Sequence, residues 1–558
     1  NYTFKLVPQP GSAANPYLLM VDKPYSNPAA LTESLYDTFV REGRTQLASW
    51  DLRVNGSVFE RFWGGPIGVA VGAEMRWEDY KDFRPPYVGL NPANAPFNGN
   101  GNDPTNLFFG PTENDFLGVS PNVNLYASRT IASAFGEVLF PIVSRVNRQP
   151  LIRSLELSVA GRAERFSDFG GTTKPKFGVN FRPNDWILLR GTLAASFRAP
   201  NLVQSNPTPL QRSGNTYNDI YRSEVTGLNR DSSAGPVVFR QGNTSLRPES
   251  SRSISAGLAL SAPFYRDFTV TMDYWRIKQK DVIDDVTGTA QLLRDEELLD
   301  GAVQKALAAG TALNQINLGS GTSSYVGNPK ITRNAVTAVD LADFAAFNAT
   351  RPAVQQRAPV GAVKSLVTDY VNLSGREVQG LDFGFELRLP KTRFGQTTLR
   401  GDAAYLLQSD TEDEPGAPKV NNINRDGRTR FRGSVGATWR KERWTAGWFT
   451  TYYGSYVDTG TATTREIYDA LGQPDYISVY VDSGNVTRYR YLVSPFATHS
   501  AYLNYAIPRQ RRGGLFAGTA FRLGVNNVTD IEPPLADEDF GYRRGAGTTA
   551  KGRTFYAQ

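Results

Sequence analysis

Long runs of strict two-residue alternation constrain this chain more than any other feature of it. In ILLRGTLAASFR, residues 187–198, one parity carries Ile187, Leu189, Gly191, Leu193, Ala195 and Phe197. The other carries Leu188, Arg190, Thr192, Ala194, Ser196 and Arg198, and the run breaks at once into Ala199, Pro200 and Asn201. The same pattern recurs over Trp50–Val58, Ile67–Trp77, Leu155–Ala163, Leu381–Leu389, Leu399–Leu407 and Phe431–Trp439. Successive side chains of a strand point to opposite faces, so each run is a strand with a greasy face and a polar one. About fifteen segments read this way, each roughly nine to fifteen residues long, against about five or six for an ordinary soluble strand. A tilted strand that crosses lipid needs about nine to eleven.

The connections alternate in length. Short turns are expected at FERFWGGP, RPNDW, APFYRD, PKTRFGQ, RKERW and PRQRRGG, with PIVSRVNRQP on the same side. Between them come polar loops at roughly 81–127, 199–249, 284–372, 409–427, 457–487 and 529–548, while FGGTT is a short turn on the long-loop side. Short on one side and long on the other is the pattern of an outer-membrane β-barrel. Aromatic residues near strand ends, among them Trp63, Trp77, Trp186, Trp275, Trp439 and Trp444, fit interfacial girdles. A soluble sandwich or propeller would also alternate, but a propeller needs shorter strands and a repeat of about forty residues, and neither is present. The fold class expected is therefore all-β, a transmembrane antiparallel β-barrel with long extracellular loops. Its lipid row includes Leu189, Leu193 and Phe197, its wet row includes Arg190 and Arg198, and Pro200 ends the pairing.

Composition excludes several chemistries. Cysteine is absent, which removes disulfides, thiolate metal sites and cysteine nucleophiles. A single histidine, His499, cannot build a multi-histidine metal site and is read as a structural or lumen-facing residue. With 61 basic and 54 acidic residues the formal charge is +7, too small and too dispersed for a nucleic-acid partner. There is no Gly-x-Ser-x-Gly elbow and no phosphate loop, so no catalytic residue is assigned. No metal or other cofactor is expected. The acidic stretches Asp410–Gly416 and Asp537–Gly541 are read as solvated, with Ca²⁺ binding as the alternative.

Several phrases resemble the barrel portion of TonB-dependent outer-membrane receptors: ASFRAPNL at 195–202, GNTSLRPESSRSISAGLAL at 242–260 and VTMDYWRIKQKDVI at 270–283. REVQGLDFGFELRLP at 376–390, LGVNNVTDIEPP at 523–534 and GRTFYAQ at 552–558 continue the series in order. The resemblance covers about residues 44–558 and implies part of a 22-stranded barrel that, in the family, is plugged by an N-terminal domain. It implies residues 1–43 as an extracellular loop segment, 44–558 as barrel with an incomplete last strand, and a longer receptor whose plug and TonB box lie upstream. It further implies active import of a scarce ligand such as a ferric siderophore, vitamin or oligosaccharide, with energy from the TonB–ExbB–ExbD complex. Passive porin-like conduction and, behind it, an outer-membrane enzyme stand as the other classes.

Within that frame, ligand contacts are expected in the long loops and at the barrel mouth. Phe108, Phe109, Tyr217, Tyr221 and Tyr325 are the aromatic candidates, with Tyr468 and Tyr476 behind them, because planar rings stack on planar or apolar ligands. Arg198 is the charged candidate, and with Arg182, Arg190, Arg428, Arg430 and Arg432 it would make the lumen electropositive. The bland alternative for each is packing: loop rings on one another, and arginines in cross-strand pairs or against a plug. Asp382, Glu386 and Arg388 are expected beside Arg400 and Asp402 on the next strand. A short helix is expected over Ala290–Gly310, facing inward with Leu292, Leu299, Val303 and Ala306, either as loop packing or as a gating lid.

Overall fold

A computed structural model describes residues 2–8, 17–24, 33, 38–92, 114–116, 119–212, 217–226, 236–262, 265, 267–352, 355–412, 419–481, 487–508, 518–536, 541–543 and 548–558. The alternating runs form one antiparallel, barrel-forming sheet. Its wall strands, numbered in chain order, are β1 Glu42–Val58, β2 Ile67–Phe83, β3 Leu125–Val143, β4 Ser154–Phe166 and β5 Gly170–Arg182. They continue as β6 Ile187–Arg198, β7 Glu249–Ser261, β8 Phe268–Asp285, β9 Val363–Arg388 and β10 Gln396–Glu412. The rest are β11 Phe431–Lys441, β12 Trp444–Tyr453, β13 Phe496–Ala506, β14 Ala520–Asn526 and β15 Thr554–Ala557. Each pairs with the next in sequence order, which is the simplest way to satisfy backbone groups that lipid cannot. Among the described residues, β1 pairs only with β2 and β15 only with β14.

The turns fall where the alternation stops. Between β5 and β6 the Asn184 side chain accepts from the backbone N–H of Trp186 (3.1 Å) and of Ile187 (2.9 Å), the Asx geometry that reverses a chain. β11 and β12 meet through two residues, Glu442 and Arg443, with Glu442 at φ 47° as such a tight hairpin requires. On the other side the links are long, except for the three residues between β4 and β5.

The apolar row lies open rather than buried: Leu193 is 48% accessible, Val435 46% and Phe383 40%. A continuous outward row of this kind is an anomaly in water and a necessity against hydrocarbon chains. Among the described residues no helix is long and apolar enough to cross a membrane, so crossing falls to the strands. On the inner row charges meet in register. Arg190 forks onto Asp273 (2.8 and 2.5 Å) over Gly257, and a Cβ there would collide with both Asp273 Oδ1 and Arg190 Nε. Gly257→Val is accordingly expected to destabilise the wall by about 1–3 kcal/mol through overpacking, read as a lower temperature for loss of the compact form on unheated gels.

The buried apolar clusters lie in the loops and at the loop end of β9. The largest joins Tyr221, Leu299, Val303, Leu318, Phe344, Ala358 and Val360. It is built from the β6–β7 and β8–β9 loops, with helices α1 Ile220–Thr226, α2 Gly288–Ala308 and α3 Ala338–Asn348. The expected helix is thus α2, two residues earlier than read: Thr287 caps it by accepting from Ala290 N–H (3.2 Å), and Gly310 at φ 85° terminates it. Leu292, Leu299 and Val303 are buried as the 3.6-residue period requires, and Ala306 is half-buried. A smaller three-stranded sheet, Tyr456–Thr463, Thr487–Val493 and Ile477–Val481, forms in the β12–β13 loop. Tyr2–Pro8 and Tyr17–Pro24 make a separate antiparallel pair.

Candidate functional site

Two surfaces hold the chemistry: the cap made by the β6–β7 and β8–β9 loops, and the charged inner row of the wall beneath it.

The cap is organised by Arg333, whose side chain is 1% accessible. Its two terminal nitrogens donate to both oxygens of Asp219 at 2.6 and 2.9 Å. Asp295 accepts from the same guanidinium at 2.8 and 3.1 Å, and the Gly361 carbonyl accepts at 3.0 Å. Asp295 is itself fully buried and also accepts from Asn328 N–H (2.7 Å) and from the Tyr325 hydroxyl (2.7 Å). Two carboxylates around one guanidinium satisfy its fork, the condition for keeping charge out of water. Burial acts most strongly against the Arg333 charge, yet Asp219, Tyr325 and Asp295 outweigh it and hold the group protonated above its ordinary value. Burial is likewise the first cause that raises the Tyr325 phenol, so it remains a donor.

Two further arginines tie the same loops. Arg222 donates to Asp340 (2.8 Å) and to the Val360 carbonyl (2.5 Å), and Arg357 donates to Glu296 (2.7 Å) and lies 4.7 Å from the centre of the Tyr221 ring. Burial pushes the Asp340 carboxyl up, but the N–H and hydroxyl of Thr337 and the Arg222 guanidinium together hold it below the usual carboxylate range. A depressed carboxyl contributes stability that is complete above its unfolded value, about 3.9, and is lost as pH falls through the lower folded value. The Asp340 contribution should therefore persist on acidification to about pH 4 and disappear below it, measurable as amide exchange in α3 corrected for intrinsic rate.

This geometry decides how each candidate residue is used. Tyr221 is fully buried, and its hydroxyl donates to the Ala358 carbonyl (3.0 Å), so it packs the cap instead of facing an incoming ligand. Tyr325 is spent on Asp295 in the same way. Tyr217 packs half-buried against Gly288 and the Val238–Leu292–Ile331–Leu366 cluster. The three tyrosines therefore meet around α2, while Arg198 stands apart at the rim with its guanidinium on Glu249, which also accepts from Ile283 N–H (2.8 Å). Phe108 and Phe109 lie outside the described residues. In the smaller loop sheet Tyr468 packs on Tyr489 and Tyr476 on Tyr491, with Tyr476 still 49% accessible. The buried Arg333–Asp219–Asp295 cluster carries no signature in spacing or composition.

Down the wall, Arg162 donates to Glu74 (2.7 Å), Arg129 to Glu78 (2.7 Å) and Arg400 to Glu386 (3.1 Å). The expected neighbours of β9 and β10 do share a register, Glu386 opposite Arg400 and Gly384 opposite Asp402, with Arg388 3.7 Å from Glu386. Among the described residues Arg182, Arg428, Arg430 and Arg432 have no ion-pair partner, nor do Lys174 and Lys176, which line a recess of about 470 Å³ with Arg53 and Arg162. Those cations offer sites to anions, while Glu137, Glu156, Asp382 and Asp402 on the same row are carboxylates without an ion pair among the described residues, so the inner surface carries free charge of both signs. His499 shares a hydrogen bond at Nδ1 with the Thr450 hydroxyl (2.9 Å) and lies 5.6 Å from the Trp448 ring; its register with Thr450 and Val435 sets it on the apolar outer row and not in the lumen, which corrects the lumen-facing expectation. Among the described residues no three acidic or imidazole side chains converge as metal ligands. Much of the two acidic stretches, residues 413–416 and 537–540, lies outside the described residues.

Residues 11–528 match the family model described as TonB dependent receptor-like, beta-barrel. No curated protein sequence matches the chain. Among solved structures, the siderophore receptor PirA from Acinetobacter baumannii superposes with a TM-score of 0.52 at 15% identity, over 92% of this chain and 54% of that one. A variant of the ferric enterobactin receptor PfeA from Pseudomonas aeruginosa gives 0.51 at 14%, over 98% and 54%. The outer membrane transporter YddB from Escherichia coli gives 0.51 at 10%, over 93% and 54%. The chain spans about half the length of these structures, and at such identities the likeness is one of fold.

Proposed function

Because this chain belongs to the family of TonB-dependent receptor β-barrels and so to the bacterial outer membrane, we propose that it imports a scarce ligand there with energy delivered by TonB. The family is one of receptors and transporters rather than of enzymes. The observation that carries the reading is the pairing of an open apolar outer row with a charged inner row beneath a loop cap that has its own core. Such a cap presents a shaped surface on a rigid scaffold, where affinity for a large ligand can reside.

The chemistry favours an anionic cargo. Free arginines and lysines on the inner row attract negative charge, and the formal balance is +7. Ferric siderophore complexes are the first class to test, since the names of the solved receptors PirA and PfeA carry that cargo and many ferric chelates are anions. Arg198 at the rim, the exposed Tyr476 and the loop phenylalanines Phe108 and Phe109 are the contacts we assign to ligand. Tyr217, Tyr221 and Tyr325 support the cap that presents them. Residues 1–43 we assign to an extracellular segment, because β1 runs from the long-loop side toward a short turn. The TonB–ExbB–ExbD complex would act through a plug domain.

The test is uptake by cells carrying the full-length receptor, with and without TonB, across radiolabelled ferric catecholate and hydroxamate chelates, cobalamin and oligosaccharides. One class should accumulate only when TonB is present. Equal accumulation in both strains would point instead to passive conduction.

A further inference from the structure

The outward row of the wall changes character along its length. Following β7 and its register partner β8 from the short-turn end, the outward pairs are Leu260 with Val270, Leu258 with Met272, Ala256 with Tyr274 and Ile254 with Arg276. The next pair is Arg252 with Lys278, and Ser250 with Lys280 follows. Strand parity keeps all of these on the face that carries Leu193 and Phe177, so cations occupy the lipid-side surface at its extracellular end.

Arg276 is accounted for, since it donates to Glu377, which also lies 3.7 Å from Lys419. Glu377 is the register partner of Lys278, but it is engaged by those other two cations. Among the described residues Arg252, Lys278 and Lys280 have no ion pair, and all three are exposed. Like charges directly opposite each other on neighbouring strands destabilise a sheet, so Arg252 facing Lys278 needs an anion between them. These residues border a groove of about 730 Å³ that Lys174, Ser250 and Ser251 also line, with Pro175, Phe177 and Leu193 as its apolar wall. One end of the groove is cationic and the other apolar, which is the complement of an amphiphile with a negative head.

We propose that this groove binds a lipid of the outer leaflet through its phosphate-bearing headgroup. The phosphates lie between Arg252, Lys278 and Lys280, and the acyl chains run down Phe177, Leu193 and Ile254. Guanidinium and ammonium groups at this height meet phosphates at the membrane surface, where lipid charge and side-chain charge cancel without crossing hydrocarbon.

The experiment measures binding of lipid A to the full-length receptor in neutral detergent, by native mass spectrometry, using the bisphosphorylated form, the fully dephosphorylated form and inorganic phosphate as competitor. Bisphosphorylated lipid A should bind about tenfold or more tightly than the dephosphorylated form, and R252A/K278A/K280A should lose that preference. Inorganic phosphate at equal concentration should not displace the lipid, since it lacks the chains. Equal binding of both lipid forms, or an unchanged preference in the triple variant, overturns the proposal; displacement by phosphate alone reduces the site to a free-anion site and overturns it too. Should the triple variant fail to fold, the native receptor still decides: lipid affinity that does not weaken with added salt excludes charge recognition.

Discussion

Arg333→Ala is expected to open the loop cap while leaving the wall intact. The substitution removes the one group among the described residues that pairs with both Asp219 and Asp295, leaving Asp219 only the longer contact to Arg222 (3.9 Å) while both carboxylates stay buried. Stranding buried charge in this way costs about 3–5 kcal/mol, a large part of what a small buried core can supply. Amide exchange across α2 and residues 313–361 should rise by orders of magnitude, with the amides of β3 to β8 unchanged. Arg333→Lys should rescue little, because a single ammonium cannot serve two carboxylates, a tyrosine and a carbonyl in one plane. The triple change R333M/D219N/D295N should do less damage than R333A, since it removes the charges along with their partner. Undiminished protection of α2 in R333A would show that the apolar cluster alone holds the cap.

The second large effect separates the two faces of one strand. Ala403 and Ala404 are adjacent on β10; Ala403 sits in register between Phe383 and Gly433, and Ala404 between Asp382 and Arg432. Ala403→Arg places a guanidinium against hydrocarbon and should cost about 2–4 kcal/mol, whereas Ala404→Arg enters the wet side and should cost under about 1 kcal/mol. Denaturant titration of receptor refolded into lipid vesicles measures both. If the two variants lose stability equally, the assignment of faces is wrong and the membrane reading goes with it.

The contrast between wall and cap also explains what could be read in advance. Alternation is local: Leu189, Leu193 and Phe197 declare their face within one strand, so strand number, facing and turn sides follow from the sequence. The α2 face was legible for the same reason, through Leu292, Leu299 and Val303 at helical spacing. The cap cluster was not, because Arg333 meets Asp219 across 114 residues and Tyr221 meets Ala358 across 137. Tyr221 was read as a ligand contact because loops lie at the surface; this loop pair is large enough to bury a ring of its own. The row of Arg252, Lys278 and Lys280 was visible as a break in apolar parity, but its meaning required the register that sets the three side by side.

The length of β9 has a mechanical corollary. Its 26 residues extend roughly 85 Å at about 3.3 Å each, several times the height of the apolar band. The upper part pairs with Val237–Gln241 and Ile331–Arg333, the very segments that carry the cap. One unbroken strand from bilayer to summit acts as a strut, with register shifts beside Asn372–Arg376 and Gln379–Gly380 as places where it can give. Any tilt of the summit must then be passed to the staves below, and the segment between β2 and β3 joins the same brace where Asn122 exchanges two hydrogen bonds with the Gln211 backbone.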